Sequence, residues 1–229
     1  GESITSRKNP FIQTLAELAR DGSARQRLGL ALAEGPHLAV EAMACDLDNL
    51  GLIFAASAFS SREISVLSAS AREKSIPCVT VADTCYERFS CLKSPEGVAA
   101  VFSPRAIQPG RLFTTGLKGV VLAGVQDPVN AGAIARAAAA AGANAVLTCQ
   151  GSADPLHPAF LRASMGAAFR IPTAEISNKE LLSLAASANT RLLAADARQA
   201  THYRQADYAP PCLIVIGNEG GGIPAELLN

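Results

Sequence analysis

The run from Val120 to Leu147 constrains this chain more than any other stretch. Val120–Val125 is short and apolar, as a strand buried in a parallel sheet must be. Gln126, Asp127 and Pro128 break it, because proline lacks a backbone donor and aspartate favours turns. Asn130 is expected to cap the helix that follows. Ala131–Ala141 supplies that helix with little but alanine, the best helix former. Gly142 is the expected stop, and Ala145–Thr148 opens the next strand. Strand, turn, helix and strand in quick succession predict an α/β fold with parallel strands.

One charged residue interrupts that helix. Arg136 follows Gly132 by one helical turn, so the two share a face. Helical side chains lean toward the N-terminus, which aims Arg136 at the mouth of the strand–helix turn. Open α/β sheets bind ligands at such mouths. A guanidinium beside free backbone N–H groups suits a phosphate or a developing oxyanion. An ordinary helix cap with a solvated arginine accounts for the same residues.

With 229 residues the chain suffices for two modest domains. Hydrophobic residues at 49% and a mean hydropathy of +0.21 argue for ample burial over disorder. No apolar run is long enough to span a bilayer, and no basic-plus-apolar leader opens the sequence, so the expected location is the cytoplasm. Cys45, Cys78, Cys85, Cys91, Cys149 and Cys212 show no CxxC spacing. Buried free thiols are therefore expected in preference to disulfides, and no metal site is expected. A formal net charge of zero argues against broad non-specific nucleic-acid binding but permits a local basic patch.

The first thirty residues are locally basic through Arg7, Lys8, Arg20, Arg25 and Arg27. Asn9-Pro10 starts a helix with Phe11, Leu15 and Leu18 as its apolar face. The basic residues suit RNA phosphates or a plain solvated surface. Strands are expected at Leu28–Ala33, Leu50–Ala56, Pro77–Val81 and Gly97–Phe102, with helices at Leu38–Ala44, Ser61–Lys74 and Asp83–Leu92. This alternation predicts a compact α/β domain with a largely parallel sheet. No phosphate loop occurs, and the neighbouring Glu34 and His37 lack a further partner.

Two prolines and two glycines mark the linker, residues 104–117. It separates residues 1–103 from a second alternating unit, residues 118–229. In that unit a short helix is expected at Ala159–Met165, a strand at Ala168–Pro172, a helix capped by Asn178 and a strand at Arg191–Ala195. Pro211–Ile216 is strongly apolar and runs into Gly217-Asn218-Glu219-Gly220-Gly221-Gly222, after which Pro224 opens a last helix. The glycines permit close backbone approach to a ligand. Glu219 alone in the run carries charge, and a carboxylate there suits a cation such as a sulfonium, or a hydroxyl. The dinucleotide pattern GxGxxG is not matched.

DPVNAGAIAR, RASMGAAFRIP and LIVIGNEGGGIP, in that order, resemble the motif series of the SpoU (TrmH-like) RNA 2′-O-ribose methyltransferases of the SPOUT class. ITSRKNPFIQTLAEL and LALAEGPHLAVEA are similar to that family's small N-terminal substrate-binding domain, so the likeness covers nearly the whole chain. The resemblance implies an N-terminal α/β substrate-binding domain over residues 1–103 and a C-terminal parallel-sheet domain over residues 118–229 with a trefoil knot. It implies Asn130, Arg136 and Glu219 as catalytic residues. It assigns S-adenosylmethionine to Ala194, Ala195, Ile216, Gly217, Asn218, Glu219 and Gly220. RNA contacts fall to Arg7, Lys8, Arg25, Arg27, Arg162 and Ser164, with Gly166 matching the same RASxG segment. The implied partners are ribosomal RNA, with transfer RNA second, and a second copy of the chain as a homodimer. The family pattern continues to a Ser-Leu-Asn motif that lies past Asn229, so the knot is expected to be incomplete in these residues.

Two other classes compete. One is a non-catalytic RNA-binding protein on the same scaffold. The other is a Rossmann-like enzyme with a nicotinamide or nucleotide cofactor, which the missing GxGxxG disfavours.

Overall fold

The computed structural model describes residues 3–45, 47–196 and 202–228. The chain packs as two units, one of residues 1–105 with 156–169, the other of residues 106–155 with 170–229.

In the first unit Asn9 caps α1 (Pro10–Arg20), accepting from the Phe11 N–H at 2.9 Å. Ile12, Leu15 and Leu18 form its buried face, while Phe11, expected there, stays 36% exposed. Asp21 caps an unexpected second helix, α2 (Gly22–Leu28), so β1 is only Ala31–Glu34. Then come α3 (Pro36–Ala44), β2 (Asp48–Ala55), α4 (Arg62–Glu73), β3 (Cys78–Val81), α5 (Asp83–Phe89) and β4 (Val98–Ser103). The strand order is β1-β4-β2-β3. β4 runs antiparallel to both neighbours and only β2 and β3 are parallel, so the largely parallel sheet expected here is not found. Strand–helix alternation says which elements exist but not where a strand inserts, and β4 inserts between the two earlier strands. Alternate residues of β2 face opposite sides: Ile53 and Ala55 pack with α1 and α5, Leu52 and Phe54 with α3 and α4.

The segment that includes RASMG packs in this unit, although the sequence division assigns it to residues 118–229. It forms α7 (Pro158–Ala163), a tight turn and α8 (Ala167–Arg170), where a strand was expected from Ala168. Leu161, 1% exposed, joins Ala31, Ala33, Leu38 and Phe102 in one apolar cluster, and Phe169 meets Phe102 edge-on at 5.3 Å.

The second unit holds β5 (Lys118–Ala123), α6 (Pro128–Ala140), β6 (Ala145–Cys149), β7 (Thr173–Ile176), α9 (Asn178–Ser187), β8 (Arg191–Ala194) and β9 (Cys212–Gly217). Its five strands are all parallel, in the order β7-β6-β5-β9-β8. Leu122, Leu147 and Leu213 are fully buried at its centre, each contributing about 1.5–3 kcal/mol. Three local expectations change. Asp127, not Asn130, caps α6; Ser177, not Asn178, caps α9; and Pro224 leads into a single 3₁₀ turn, Ala225–Leu227. In the first case a proline at the first helical position places the cap one residue earlier, on Asp127, and leaves Asn130 inside the first turn. Among the described residues no helix is long and apolar enough to cross a membrane.

Candidate functional site

The site is built on the C-terminal ends of β5 and β9, which lie side by side. The strand order changes direction between them, and such a switch point leaves a crevice outside the strand ends. β5 ends at Ala123, and Gly124 turns the chain with φ +86°. Its N–H donates to Ser152 Oγ at 2.9 Å, and that hydroxyl donates to Leu122 O at 2.7 Å. The polar loop after β6 thus supports the turn. Asp127 Oδ1 accepts from the N–H groups of Val129 and Asn130 at 2.7 and 3.3 Å, which fixes the start of α6.

On the β9 side, Asn218 organises the glycine run. Its Nδ2 donates to Gly124 O at 3.0 Å, and its Oδ1 accepts from the N–H groups of Gly220 and Gly221 at 2.9 and 2.8 Å. Asn218 and Gly222 exchange a pair of backbone hydrogen bonds, each 2.9 Å. The loop folds back so closely that a Cβ on Gly217 would stand 2.3 Å from the Gly222 carbonyl carbon. Only glycine fits there. Glu219 projects from the loop's exposed face, and Asn130 Nδ2 donates to its Oε1 at 2.8 Å. Two motifs 89 residues apart therefore meet in one hydrogen bond.

Ala194 and Ala195 are exposed at the end of β8, and the Ala195 N–H donates to Val215 O at 2.9 Å. Ile216 and Gly217, half-buried, follow Val215 on the adjoining strand β9 and lead into the loop. Arg136 is exposed and makes no hydrogen bond or ion pair among the described residues. Six residues beyond Asn130 in α6 it lies about 9 Å further along the axis and about a third of a turn around it. The structure thus joins Asn130 to Glu219 and leaves Arg136 unbonded. Behind the sheet, burial and then the Glu226 carboxylate push the Cys149 thiol up to about 11, which keeps it neutral and unreactive.

Asp127, Ser152 and Gly124 were not among the expected site residues. The only sequence sign of Asp127's role is the proline after it; the part played by Ser152 depends on a loop folding back.

The expected RNA contacts all lie in the first unit. Arg7 donates to Thr84 O at 2.8 Å and lies 3.6 Å from Glu87; Lys8 is exposed; Arg27 pairs with Glu17 at 3.1 Å. Two expectations are corrected. Arg25 is 3% exposed and donates to Leu18 O at 2.7 Å, so it is not part of an open basic surface. Ser164 is wholly buried and donates to Leu161 O at 2.7 Å, which spends its hydroxyl within the fold. Arg162 is half-buried, and its Nη1 is buried without a hydrogen-bond partner.

Residues 118–229 match the SpoU rRNA Methylase family. An uncharacterized tRNA/rRNA methyltransferase of Synechocystis sp. is 28% identical over 232 residues, spanning 99% of this chain and 81% of its own length. The 23S rRNA (guanosine(2553)-2′-O)-methyltransferase RlmP of Bacillus subtilis is 26% identical over 231 residues, 99% of this chain and 86% of that protein. Among solved structures, an AdoMet-bound rRNA methyltransferase from Sinorhizobium meliloti matches with a TM-score of 0.83 and 25% identity, over 99% of this chain and 85% of that one. The family match thus falls on residues 118–229, the part of the chain that carries both the Asn130 and the Glu219 motifs.

Proposed function

We propose that the protein is an S-adenosylmethionine-dependent RNA methyltransferase that methylates a ribose 2′-hydroxyl, in ribosomal RNA. The observation that carries this reading is the Asn130–Glu219 hydrogen bond at the β5 and β9 ends, which unites the two motifs that the family resemblance marks as catalytic. The Bacillus subtilis relative, a 2′-O-methyltransferase of 23S rRNA, supports the substrate class.

The residues present fit the cofactor. A loop of small residues closed by Asn218 offers backbone groups without side-chain obstruction, and the exposed Glu219 carboxylate complements a sulfonium charge. Ala194, Ala195, Ile216, Gly217, Asn218 and Gly220 would hold S-adenosylmethionine. When bound, it supplies an electrophilic methyl group on sulfur. Asn130 fixes the orientation of Glu219, whose other oxygen remains able to accept from a hydroxyl near the nucleophile. The Arg136 guanidinium presents N–H donors and no acceptor, so it does not serve as the base. Its role is to hold the neighbouring RNA phosphate and to stabilise the developing alkoxide as the 2′-oxygen gives up its proton to solvent at this open site. RNA is required because only RNA carries that hydroxyl.

Arg136→Ala tests the assignment. Methyl transfer from labelled S-adenosylmethionine to an unmodified rRNA transcript should disappear, while calorimetric cofactor affinity stays near that of the parent. Normal turnover by Arg136→Ala would remove Arg136 from the mechanism. A parent protein that binds RNA but no cofactor would favour the non-catalytic reading. A trefoil knot and a homodimer belong to the same proposal, the dimer testable by sedimentation of the full gene product.

A further inference from the structure

The placement of Glu219 goes back to Gly124 by two routes. The Gly124 carbonyl accepts from Asn218 Nδ2 at 3.0 Å, and Asn218 Oδ1 in turn holds the Gly220 and Gly221 N–H groups that follow Glu219. Three residues along the chain from Gly124, Asp127 caps α6 and so places Asn130, whose Nδ2 donates to Glu219 Oε1 at 2.8 Å. Glu219 Oε2 lies 3.5 Å from Asn218 Nδ2. Each carboxylate oxygen thus faces an asparagine, and both asparagines are placed from the one turn after β5.

The strand ladders stop short of that turn. β5 pairs with β6 as far as Leu122 and with β9 as far as Ala123. Gly124 then takes a left-handed φ of +86°, which no strand continues. Ser152 supplies the bonds the ladders do not. Its hydroxyl accepts from the Gly124 N–H at 2.9 Å and donates to Leu122 O at 2.7 Å. The Ser152 N–H donates to Cys149 O at 3.0 Å, which fixes the serine at the end of β6, and the Ala153 N–H donates to Val125 O at 2.8 Å. The loop after β6 therefore grips the turn on both sides of Gly124. Ser152 and Gly124 are half-buried, so water replaces a lost hydroxyl there only in part.

We propose that Ser152 is a positioning residue for this site, setting the glycine loop and the Glu219 carboxylate through Gly124 and Asn218. Removing its hydroxyl leaves the Gly124 N–H and Leu122 O without their partner. The turn loosens, and both routes to Glu219 loosen with it. What the positioned carboxylate does in catalysis rests on the methyltransferase reading above. The chain of hydrogen bonds from Ser152 to the loop is a property of the unliganded fold.

The test reads the exchange rates of the Gly220 and Gly221 amide protons by NMR, in the full gene product without cofactor. Ser152→Ala should speed both about tenfold, as expected when a partly buried hydrogen bond that secures the loop is lost. Ser152→Thr keeps the hydroxyl and should restore the parent rates. Ser177→Ala removes the cap on the Glu180 N–H in the same unit and should leave both rates unchanged, which separates positioning from a general loss of stability. The urea-unfolding losses of Ser152→Ala and Asn218→Ala should be less than additive in the double variant. Should Ser152→Ala fail to fold, Ser152→Cys, a weaker donor, should give a smaller rise in the same two rates. Parent rates in the Ser152 variants, an equal rise in Ser177→Ala, or additive losses would each overturn the proposal, whatever the methylation assay gives. In that assay kcat of Ser152→Ala should fall about tenfold with KM for RNA near that of the parent. If the exchange pattern appears but the parent neither binds S-adenosylmethionine nor transfers a methyl group, the methyltransferase reading fails and the role of Ser152 in placing the loop stands.

Discussion

Replacing Asn218 by alanine removes four hydrogen bonds: one to Gly124 O at 3.0 Å, two from the Gly220 and Gly221 N–H groups at 2.9 and 2.8 Å, and a long one to Glu219 Oε2 at 3.5 Å that adds little. An intramolecular hydrogen bond contributes about 0.5–1.5 kcal/mol net. Gly220 and Gly221 are exposed, so water replaces Oδ1 there and those two bonds sit at the lower end. The Gly124 bond, half-buried, sits nearer the upper end. The expected loss is about 2 kcal/mol, or about 4–8 °C in Tm for a chain of this size. Asn218→Asp keeps both acceptor bonds but puts a carboxylate oxygen where Nδ2 stands, 3.0 Å from Gly124 O and 3.5 Å from Glu219 Oε2, so its loss should be no smaller than that of the alanine variant. Urea denaturation followed by circular dichroism measures both. The freed loop must be reordered when cofactor binds, so S-adenosylmethionine affinity should fall by up to about thirtyfold in the alanine variant. An alanine variant within about 0.5 kcal/mol of the parent, with undiminished cofactor affinity, would refute Asn218 as the organiser of this loop.

Two further outcomes follow from single contacts. Gly119→Ala would place a Cβ 2.5 Å from Ala145 O and 3.0 Å from Leu213 Cδ2, in the middle of paired strands that cannot separate locally. It should destabilise by about 1–3 kcal/mol, and an unchanged urea midpoint would count against the packing described. Asp83 accepts from the Ser57 N–H at 3.0 Å and the Ser57 hydroxyl at 2.8 Å, and these bonds hold its carboxyl below the ordinary 3.8. A depressed folded value means that the stabilisation is present above 3.8 and is lost as pH falls through the folded value. Asp83→Asn should therefore lose less stability than the parent on acidification below that point. Parallel acid-unfolding curves would exclude this linkage.

Much of this protein was legible locally. Asn9-Pro10 predicts the start of α1, and the apolar run at Val120 and the alanines after it predict β5 and α6. The order of three motifs points to the family. These features depend on residues within a few positions of one another, where propensity and capping act. Competition between neighbouring caps already strains that logic. Asp127 and Asn130 both qualify, and Pro128 decides for Asp127, which frees Asn130 to reach Glu219.

What the tertiary structure alone decided is burial, strand insertion and contact across long separations. Arg25 and Ser164 read as surface residues because their types are usually exposed, yet α1 and the turn after α7 enclose them. β4 enters between β1 and β2, and the RASMG segment packs against β1, with no sign in the flanking residues. The sequence by itself determined which elements form and which side chains carry the chemistry. Only the folded chain determined that Asn130 meets Glu219 and that the buried Glu34 holds Ser90 and Cys91. Such contacts arise from the packing of whole faces, and residues far apart in the chain contribute to each face equally.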